Sequence, residues 1–471
     1  MCATDKNNIF KMSLPIFALV TLASLYNIRK FPTLAELHWE LVTFSLIAFI
    51  IYLIPASLVS AELATGWPQA GGVYVWVKEA FGERWGFTAV WLQWFQMTIG
   101  FVAALSFIAA TLSYVFNPAL ANSKLYEFII IVVTWWALTI FNLRGLKAYT
   151  LVSSSFLIIG MIIPSILLIG GGLSYIMSGN HVQITLTPNL SDFMPDFTNL
   201  NSMVLLLTFV FLFFGIEMTA THAKEIKNVR RDYPLAILIV GLVMTATSIV
   251  GALLLAMLVP MENLNLLAGI MQAFEMILGS HSWLVSVIAL MIAIGSIGEA
   301  STWILGPIRG LASTAKEGSL PPILQKINKN QIPVNIMILQ AILITFWAAV
   351  YALLPGGVNG SYWMLLSLTS LVYLVMYFFM YAAAIKLRYS QPDVKRSFEI
   401  PGGKKGMWLV SGFGLIALIF IFILALIPPS QITITGLSTL QYMIFMLGGV
   451  TFITLVPLIV YSRRKPEWKA S

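Results

Sequence analysis

Residues 213–221 read FFGIEMTAT and lie inside an apolar run that extends from 202 to 222. A carboxylate such as that of Glu217 is costly in hydrocarbon and tends to mark a transport pathway. Gly215 stands two residues before it, and a glycine beside a buried acid is where a helix can open. Opened half-helices point amides at anions and carbonyls at cations, which suits a zwitterionic amino acid. The segment predicts a broken membrane helix with a binding site; the alternative is that Glu217 only bonds to a neighbouring helix.

The composition around this segment is that of a membrane protein. Of 471 residues, 59% are apolar and 10% are charged, whereas about a quarter of the residues of an average soluble domain are charged. The 27 basic and 19 acidic residues are too few to cover the surfaces of several soluble domains. The composition excludes collagen-like, disordered and secreted disulfide-rich classes. Cys2 is the single cysteine, so neither an intrachain disulfide nor a cysteine metal cluster can form.

Apolar runs separated by charged or Gly/Pro-rich breaks predict twelve transmembrane helices, since about 20 apolar residues span a bilayer. The predicted spans are 13–36, 40–63, 86–116, 124–143, 148–176, 202–222, 233–260, 282–312, 333–354, 361–387, 407–428 and 437–461. Two shorter mixed segments, 71–81 and 267–278, are predicted to be interfacial helices.

The distribution of lysine and arginine predicts the orientation. With twelve spans, 24 of the 27 basic residues fall on the side of the N-terminus. Cytoplasmic loops carry such an excess, so both termini are predicted to be cytoplasmic. The net charge of +8 follows from this topology, and a nucleic-acid partner is not predicted.

Two other acids fall within predicted spans. Glu299 lies in segment 295–303, GSIGEASTW, and is a candidate proton-binding residue. Small residues around it also allow close helix packing, so a structural role is the alternative. Glu62 lies at the cytoplasmic end of the second span, where an ion pair or helix-end contact is the favoured interpretation.

The first span also contains a polar interruption, in segment 21–33, TLASLYNIRKFPT. It predicts a second helix break, with Arg29 and Lys30 outside it in an outer vestibule. As hydrated cations they can attract an anionic substrate; the alternative is interfacial snorkelling. Tyr373 and Tyr377 are four residues apart and share a helix face, where packing is the favoured interpretation from spacing alone.

Catalytic and metal-binding motifs are not found in the sequence. It has no Gly-rich phosphate loop, HExxH motif or nucleophile elbow, so neither an enzyme nor a cofactor nor a metal site is predicted. Among the four histidines, His222 lies at the cytoplasmic end of the sixth span, where a pH-sensing role is one interpretation.

Three ordered groups of residues resemble the signatures of one transporter superfamily. They are Ala61-Glu62-Leu63 with Pro68, 70–72, Tyr74 and Trp76; 213–217 with 225–228, Arg231 and 234–237; and Arg309 with 316–321 and Pro333. Together they resemble the amino acid–polyamine–organocation superfamily. Segments 220–222, 231–236, 392–398 and 400–404, with the Tyr373/Tyr377 spacing, look like its bacterial glutamate/γ-aminobutyrate antiporters.

The resemblance implies an all-α polytopic fold with a LeuT-like five-plus-five inverted repeat, broken helices one and six, and two further helices. Its domains would be a cytoplasmic N-terminus (1–12), a ten-helix transport core (13–387), a cytoplasmic loop (388–406), helices eleven and twelve (407–461) and a cytoplasmic C-terminus (462–471). At Arg29-Lys30 the chain departs from the antiporters, which tend to have aromatic and acidic residues there.

The resemblance also implies the site. Its substrate-binding residues would be Ala23, Ser24, Leu25, Phe214, Gly215, Ile216, Glu217, Tyr373 and Tyr377. Phe214 would act as an aromatic gate, and Glu217 and Glu299 would be acids beside the substrate path.

The function that these features predict is secondary active transport of amino acids. The leading hypothesis is an acid-responsive exchanger of glutamate, or a similar amino acid, against γ-aminobutyrate. A proton-coupled permease for neutral amino acids is the alternative, and a channel or membrane enzyme is a more distant one. The expected partners are amino acids, protons and lipids, in a bacterial inner membrane.

Overall fold

The computed structural model describes residues 12–69, 71–144, 158–219, 226–279, 282–330, 332–429 and 437–469. Within these ranges the chain is almost entirely helical. Its only β-type pairings there are two isolated bridges, Met12 with Ile226 and Ile327 with Pro333. The predicted all-α fold is confirmed.

Fifteen helices are labelled here in chain order. They are α1 Leu14–Leu25, α2 Phe31–Ala35, α3 Glu40–Gly66, α4 Val73–Phe81, α5 Glu83–Phe116, α6 Lys124–Asn142, α7 Ile158–Met177, α8 Leu200–Phe211, α9 Val229–Leu258, α10 Gly269–Leu278, α11 Trp283–Lys316, α12 Val334–Leu353, α13 Gly357–Ser390, α14 Gly403–Leu424 and α15 Thr439–Ser462.

Eleven helical segments among the described residues are long and apolar enough to cross a membrane. They coincide with the second to twelfth predicted spans to within a few residues, although residues 148–157 of the fifth span lie outside the described part. The first span, 13–36, is discontinuous: α1 and α2 flank a short 3₁₀ helix, Ile28–Lys30. The two shorter segments form α4 and α10, each close to its predicted limits.

Two membrane helices contain π-helical turns directly before a proline. Residues 49–53 of α3 precede Pro55, and residues 158–162 of α7 precede Pro164. Proline has no amide proton and its ring crowds the preceding turn. A widened π turn accommodates it without ending the helix.

The centre of the bundle is formed by α5 and α13, whose side chains are mostly buried. α5 packs against α4, α11 and α13, while α12 packs on α6 and α1 packs on α9. α15 is the most exposed of the spanning helices and presents apolar side chains outward, as a lipid-facing helix does. This arrangement surrounds the two discontinuous helices with continuous ones.

Glycines allow two helix pairs to approach at backbone distance. A Cβ on Gly160 of α7 would lie 2.2 Å from Gly295 Cα and 2.5 Å from the Met291 carbonyl oxygen of α11. A Cβ on Gly251 of α9 would lie 2.2 Å from the ring of Phe31. Small residues at such contacts let membrane helices pack closely. The first contact fixes α11, which carries Glu299, against α7.

We expect Gly160→Ala to destabilise the folded protein by about 1–3 kcal/mol, the usual range for overpacking. The added methyl meets the backbone of α11, which cannot rotate away as a side chain can. Thermal unfolding of the detergent-solubilised protein would measure the effect. Gly170→Ala in the same helix is the matched control, because a Cβ there meets nothing within 4 Å. Equal melting temperatures for the two variants would contradict the close contact of α7 and α11.

Candidate functional site

The break predicted at Gly215 is present in the structure. α8 ends at Phe211, residues 212–215 form turns, and residues 216–219 form a 3₁₀ turn. Gly215 has φ +97°, and a Cβ there would lie 2.5 Å from Cη2 of Trp303. A residue with a side chain therefore meets both a strained backbone and a steric clash. This is why the break requires glycine.

The other break lies between α1 and α2. After Leu25 the chain is extended at Tyr26 and Asn27, and the 3₁₀ helix then begins. Asn27 Oδ1 accepts a hydrogen bond from the Arg29 backbone amide at 2.7 Å. Its Nδ2 donates to Glu299 on α11. Asn27 thus caps the 3₁₀ helix and ties the break to Glu299.

Lys30 connects the two breaks. Its Nζ donates to the carbonyl oxygens of Phe211, at 3.2 Å, and Leu212, at 3.1 Å. These carbonyls lie at the C-terminal end of α8, where the helix dipole favours a cation. The ammonium also lies 5.2 Å from the centroid of the Phe211 ring. A buried lysine therefore bonds to backbone carbonyls at the point where α8 is interrupted.

Glu217 is buried directly after the second break. It accepts hydrogen bonds from the hydroxyls of Tyr373 and Tyr377 and, at 3.0 Å, from Gln93 Nε2. Among the described residues, no lysine, arginine or histidine lies within ion-pair distance of it. Three neutral donors from α5 and α13 hold this acid in place.

An aromatic cluster surrounds Phe214. Its ring centroid lies 5.1 Å from that of Tyr373, 5.3 Å from that of Tyr52 and 6.0 Å from that of Tyr377. Tyr52 comes from the π-helical turn of α3, so the widened turn places this ring at the second break. The cluster gives the break an apolar wall with hydroxyl groups on it. The gate function of Phe214 stays a prediction.

A cavity of about 100 Å³ lies between the two breaks. A water molecule occupies roughly 10–15 Å³ on this measure, so the cavity has room for several waters or a small solute. It is lined by Leu25, Arg29, Lys30, Gln96, Met97, Gly100, Phe101, Ala104, Phe211, Phe214, Gly215, Glu299, Ala300, Trp303, Thr369 and Tyr373. Cationic, anionic and aromatic groups all face this one space.

The cavity brings together residues that are far apart in sequence. Of the predicted site residues, it is lined by Leu25, Phe214, Gly215, Tyr373, Glu299, Arg29 and Lys30. Arg29 and Lys30, predicted to lie in a vestibule, are thus part of the cavity wall. Ile216, Glu217 and Tyr377 are buried beside it without lining it. The helix containing Ala23 and Ser24 is described but their side chains are not, and His222 lies outside the described residues.

Several residues at the site are not among those predicted from sequence. They are Asn27, Gln93, Tyr52 and Trp303, each of which contacts a predicted site residue. A polar side chain at a helix interruption was the available signal for Asn27. Gln93 stands in the long apolar helix α5 with no comparable signal.

The intramembrane acids outside the cavity have other partners. Glu62 is paired with Arg388 and, at 3.5 Å, with Nε of Arg396, so the predicted helix-end ion pair is confirmed. Glu127, which the sequence interpretation did not single out, is buried on α6 and accepts a hydrogen bond from Tyr351 of α12. Glu127 does not line the cavity.

The family model for amino acid permeases matches residues 15–451 of this chain. The chain belongs to the amino acid permease family. It is a membrane transporter of amino acids and not an enzyme, and the predicted superfamily resemblance is confirmed.

In the described part, no group of three or more His, Cys, Asp or Glu side chains is arranged to hold a metal ion.

The transporter has similar relatives along almost its whole length. It is 37% identical to an uncharacterised transporter of Legionella pneumophila, over 97% of this chain and 98% of the relative. It is 35% identical to the glutamate/gamma-aminobutyrate antiporter of two Lactococcus lactis strains, over 96% of this chain and 90% of the relative. A probable agmatine/putrescine antiporter of Lactococcus lactis is 25% identical, over 90% of this chain and 89% of the relative.

We expect Gly215→Ala to lower amino acid uptake by about tenfold or more while the protein remains folded. A left-handed conformation costs an L-residue roughly 1–2 kcal/mol, and the clash with Trp303 adds to that cost. Uptake of labelled amino acids into proteoliposomes would measure the effect. Gly448→Ala is the control, since a Cβ there meets nothing within 4 Å. Wild-type uptake by Gly215→Ala would remove the break from the transport mechanism.

Proposed function

We propose that the transporter exchanges glutamate, or a similar amino acid, for γ-aminobutyrate or the corresponding decarboxylation product. The observation that carries the proposal is the cavity between two helix breaks, which presents Arg29 and Glu299 to the same space. A ligand with both charges fits such a cavity. The names of the Lactococcus relatives support this particular pair of substrates.

The substrate would be held by the two breaks. Its α-carboxylate would meet amides at the break between α1 and the 3₁₀ helix, which directly follows Ala23, Ser24 and Leu25 at the end of α1. Its amine would meet carbonyls freed near Phe214 and Gly215. Ile216, Glu217, Tyr373 and Tyr377 would support this second half of the site.

Protons would act through the acids of the site. Glu217 is buried with no cationic partner among the described residues, and Glu299 lines the cavity, so we propose these two as the proton-binding residues. His222 is a third candidate. Loading of a proton on either carboxyl would couple exchange to acid conditions.

Alternating access would rock the first helices of each repeat against the other helices. The Tyr233 hydroxyl lies 3.3 Å from Ser60 Oγ and 3.4 Å from Thr219 Oγ1. These contacts join α3, α9 and the segment after the second break on the side that we propose to be cytoplasmic. They would separate when the site opens to that side.

The proposed setting is a bacterial inner membrane with both termini cytoplasmic and lipid around the outer helices. The excess of basic residues on one side supports this orientation. The ten-helix core at 13–387 would carry the transport cycle, with α14 and α15 outside the repeat.

Glu217→Gln is expected to impair exchange or shift its pH optimum while leaving the protein folded. The amide cannot ionise, and its NH₂ group would face hydrogen-bond donors at a place where the carboxylate of Glu217 accepts hydrogen bonds. Uptake measured from pH 4.5 to 7.5 in proteoliposomes would test this. Glu127→Gln is a matched control, because that acid is equally buried but lies on α6 and bonds to Tyr351 rather than to a residue of the cavity wall. Unchanged kinetics and pH profile in Glu217→Gln would remove Glu217 from the mechanism.

The decisive experiment uses purified protein in liposomes preloaded with γ-aminobutyrate, with uptake of labelled glutamate followed at acidic and neutral pH. Uptake that requires the internal load and rises at acidic pH supports the exchanger. Equal uptake into empty vesicles under a proton gradient supports the proton-coupled permease instead. Load-dependent uptake of another amino acid, without glutamate, would retain exchange and reject the substrate pair.

A further inference from the structure

Arg29 and Lys30 are adjacent cations in the cavity wall with different surroundings. Lys30 is buried and donates to two backbone carbonyls. Arg29 is only half-buried, and its guanidinium has no hydrogen-bond or ion-pair partner among the residues that the structure describes. Lys30 therefore has a structural task, whereas the charge of Arg29 is available to a ligand.

The backbone of Arg29 is held in place by Asn27. Asn27 Oδ1 accepts a hydrogen bond from the Arg29 backbone amide and so caps the start of the 3₁₀ helix. The Nδ2 of Asn27 donates to Glu299, an acid on the cavity wall. An arginine held in a partly enclosed cavity, with its own helix anchored, presents five donors in a fork that matches a carboxylate.

We propose that Arg29 binds the carboxylate at the end of the substrate side chain. This inference rests on the proposed function, which already assigns the α-carboxylate and the amine to the two helix breaks. A further cation in the cavity then matches a further anionic group. The substrate class is amino acids with a carboxylate at the far end of the carbon chain from the amine.

The same assignment explains how one site can accept both members of an exchange pair. Decarboxylation of glutamate removes the α-carboxylate and leaves the amine and the side-chain carboxylate. Both compounds therefore keep the group that Arg29 binds and the group that the carbonyls near Gly215 bind. Only the contacts at the first break differ between them.

The test compares acids with their amides as competitors of exchange. The pairs are glutamate and glutamine, aspartate and asparagine, and γ-aminobutyrate and 4-aminobutanamide. Each would compete with the best labelled substrate in preloaded proteoliposomes at pH 5.5, more than one unit above the usual glutamate pKa of about 4.3. The side-chain carboxylates are then ionised and the amides differ from them mainly in charge.

Wild-type protein is expected to prefer each acid to its amide. Arg29→Gln is expected to weaken inhibition by the acids about 10- to 100-fold, the worth of a charge-assisted hydrogen bond, and to leave the amides nearly unchanged. Arg29→Lys retains the charge without the fork and is expected to give an intermediate preference. Size-exclusion profiles would establish that both variants are folded.

Two control variants separate this role from a structural one. Lys30→Gln is expected to lower exchange of all substrates together without changing the ratio of acid to amide. Arg464→Gln removes an exposed arginine that pairs with Glu83 and is expected to leave the ratio and the rate unchanged.

The outcomes distinguish this inference from the proposed function. An unchanged preference for acids in Arg29→Gln overturns the inference even if glutamate is exchanged normally. A wild type that exchanges amino acids without preferring acids also overturns it. If the wild type does not transport glutamate or γ-aminobutyrate but prefers aspartate to asparagine, the proposed substrate pair is wrong. Loss of that preference in Arg29→Gln would still support the role of Arg29.

Discussion

A helix can be interrupted inside a bilayer only where the freed backbone groups find new partners, since lipid offers none. In this protein the interruption of α8 is made possible by Lys30, whose ammonium bonds to the carbonyl oxygens of Phe211 and Leu212. The interruption after α1 depends on Asn27, whose side chain accepts a hydrogen bond from the backbone amide of Arg29. The cavity exists because these two side chains take over from helical hydrogen bonds.

Acids elsewhere in the membrane region are held by hydrogen bonds or ion pairs to residues that are far away in the sequence. Glu217 in the sixth span is held by Gln93, Tyr373 and Tyr377. Glu62 is paired with Arg388 and Arg396 and accepts the amide of Ile400 at 2.8 Å. A buried charge that loses one partner is destabilising by several kcal/mol. These contacts therefore constrain how α3, α5 and α13 are arranged.

The fold was largely predictable because the membrane imposes a simple rule on sequence. Long apolar runs must be helical there, and eleven of the twelve predicted spans correspond to helical segments long enough to cross. The sixth of these spans contains the break at residues 212–215. The breaks were predictable too, since Gly215 lies beside a buried acid and Asn27 lies in a polar stretch of the first span. Basic residues gave the proposed orientation from counting alone.

The partners within the site were less predictable, because they depend on packing. Gln93 is 124 residues from Glu217, and nothing in the apolar sequence of α5 relates the two. Lys30 looked like a vestibule cation, yet its target is a backbone carbonyl, and backbone groups carry no sequence signal. Tyr52 reaches Phe214 from a π-helical turn that periodicity does not reveal.

Lys30, which joins the two breaks, also affects how easily solute can leak across the membrane. If one break faced inward while the other faced outward, both bonds from Lys30 would be lost and a buried ammonium would be left without acceptors. Hydrogen bonds to charged groups contribute about 1.5–3 kcal/mol each, so such a half-turned arrangement would be rare. We therefore expect the two discontinuous helices to reorient as one body, which would limit leakage of solute through a half-turned state.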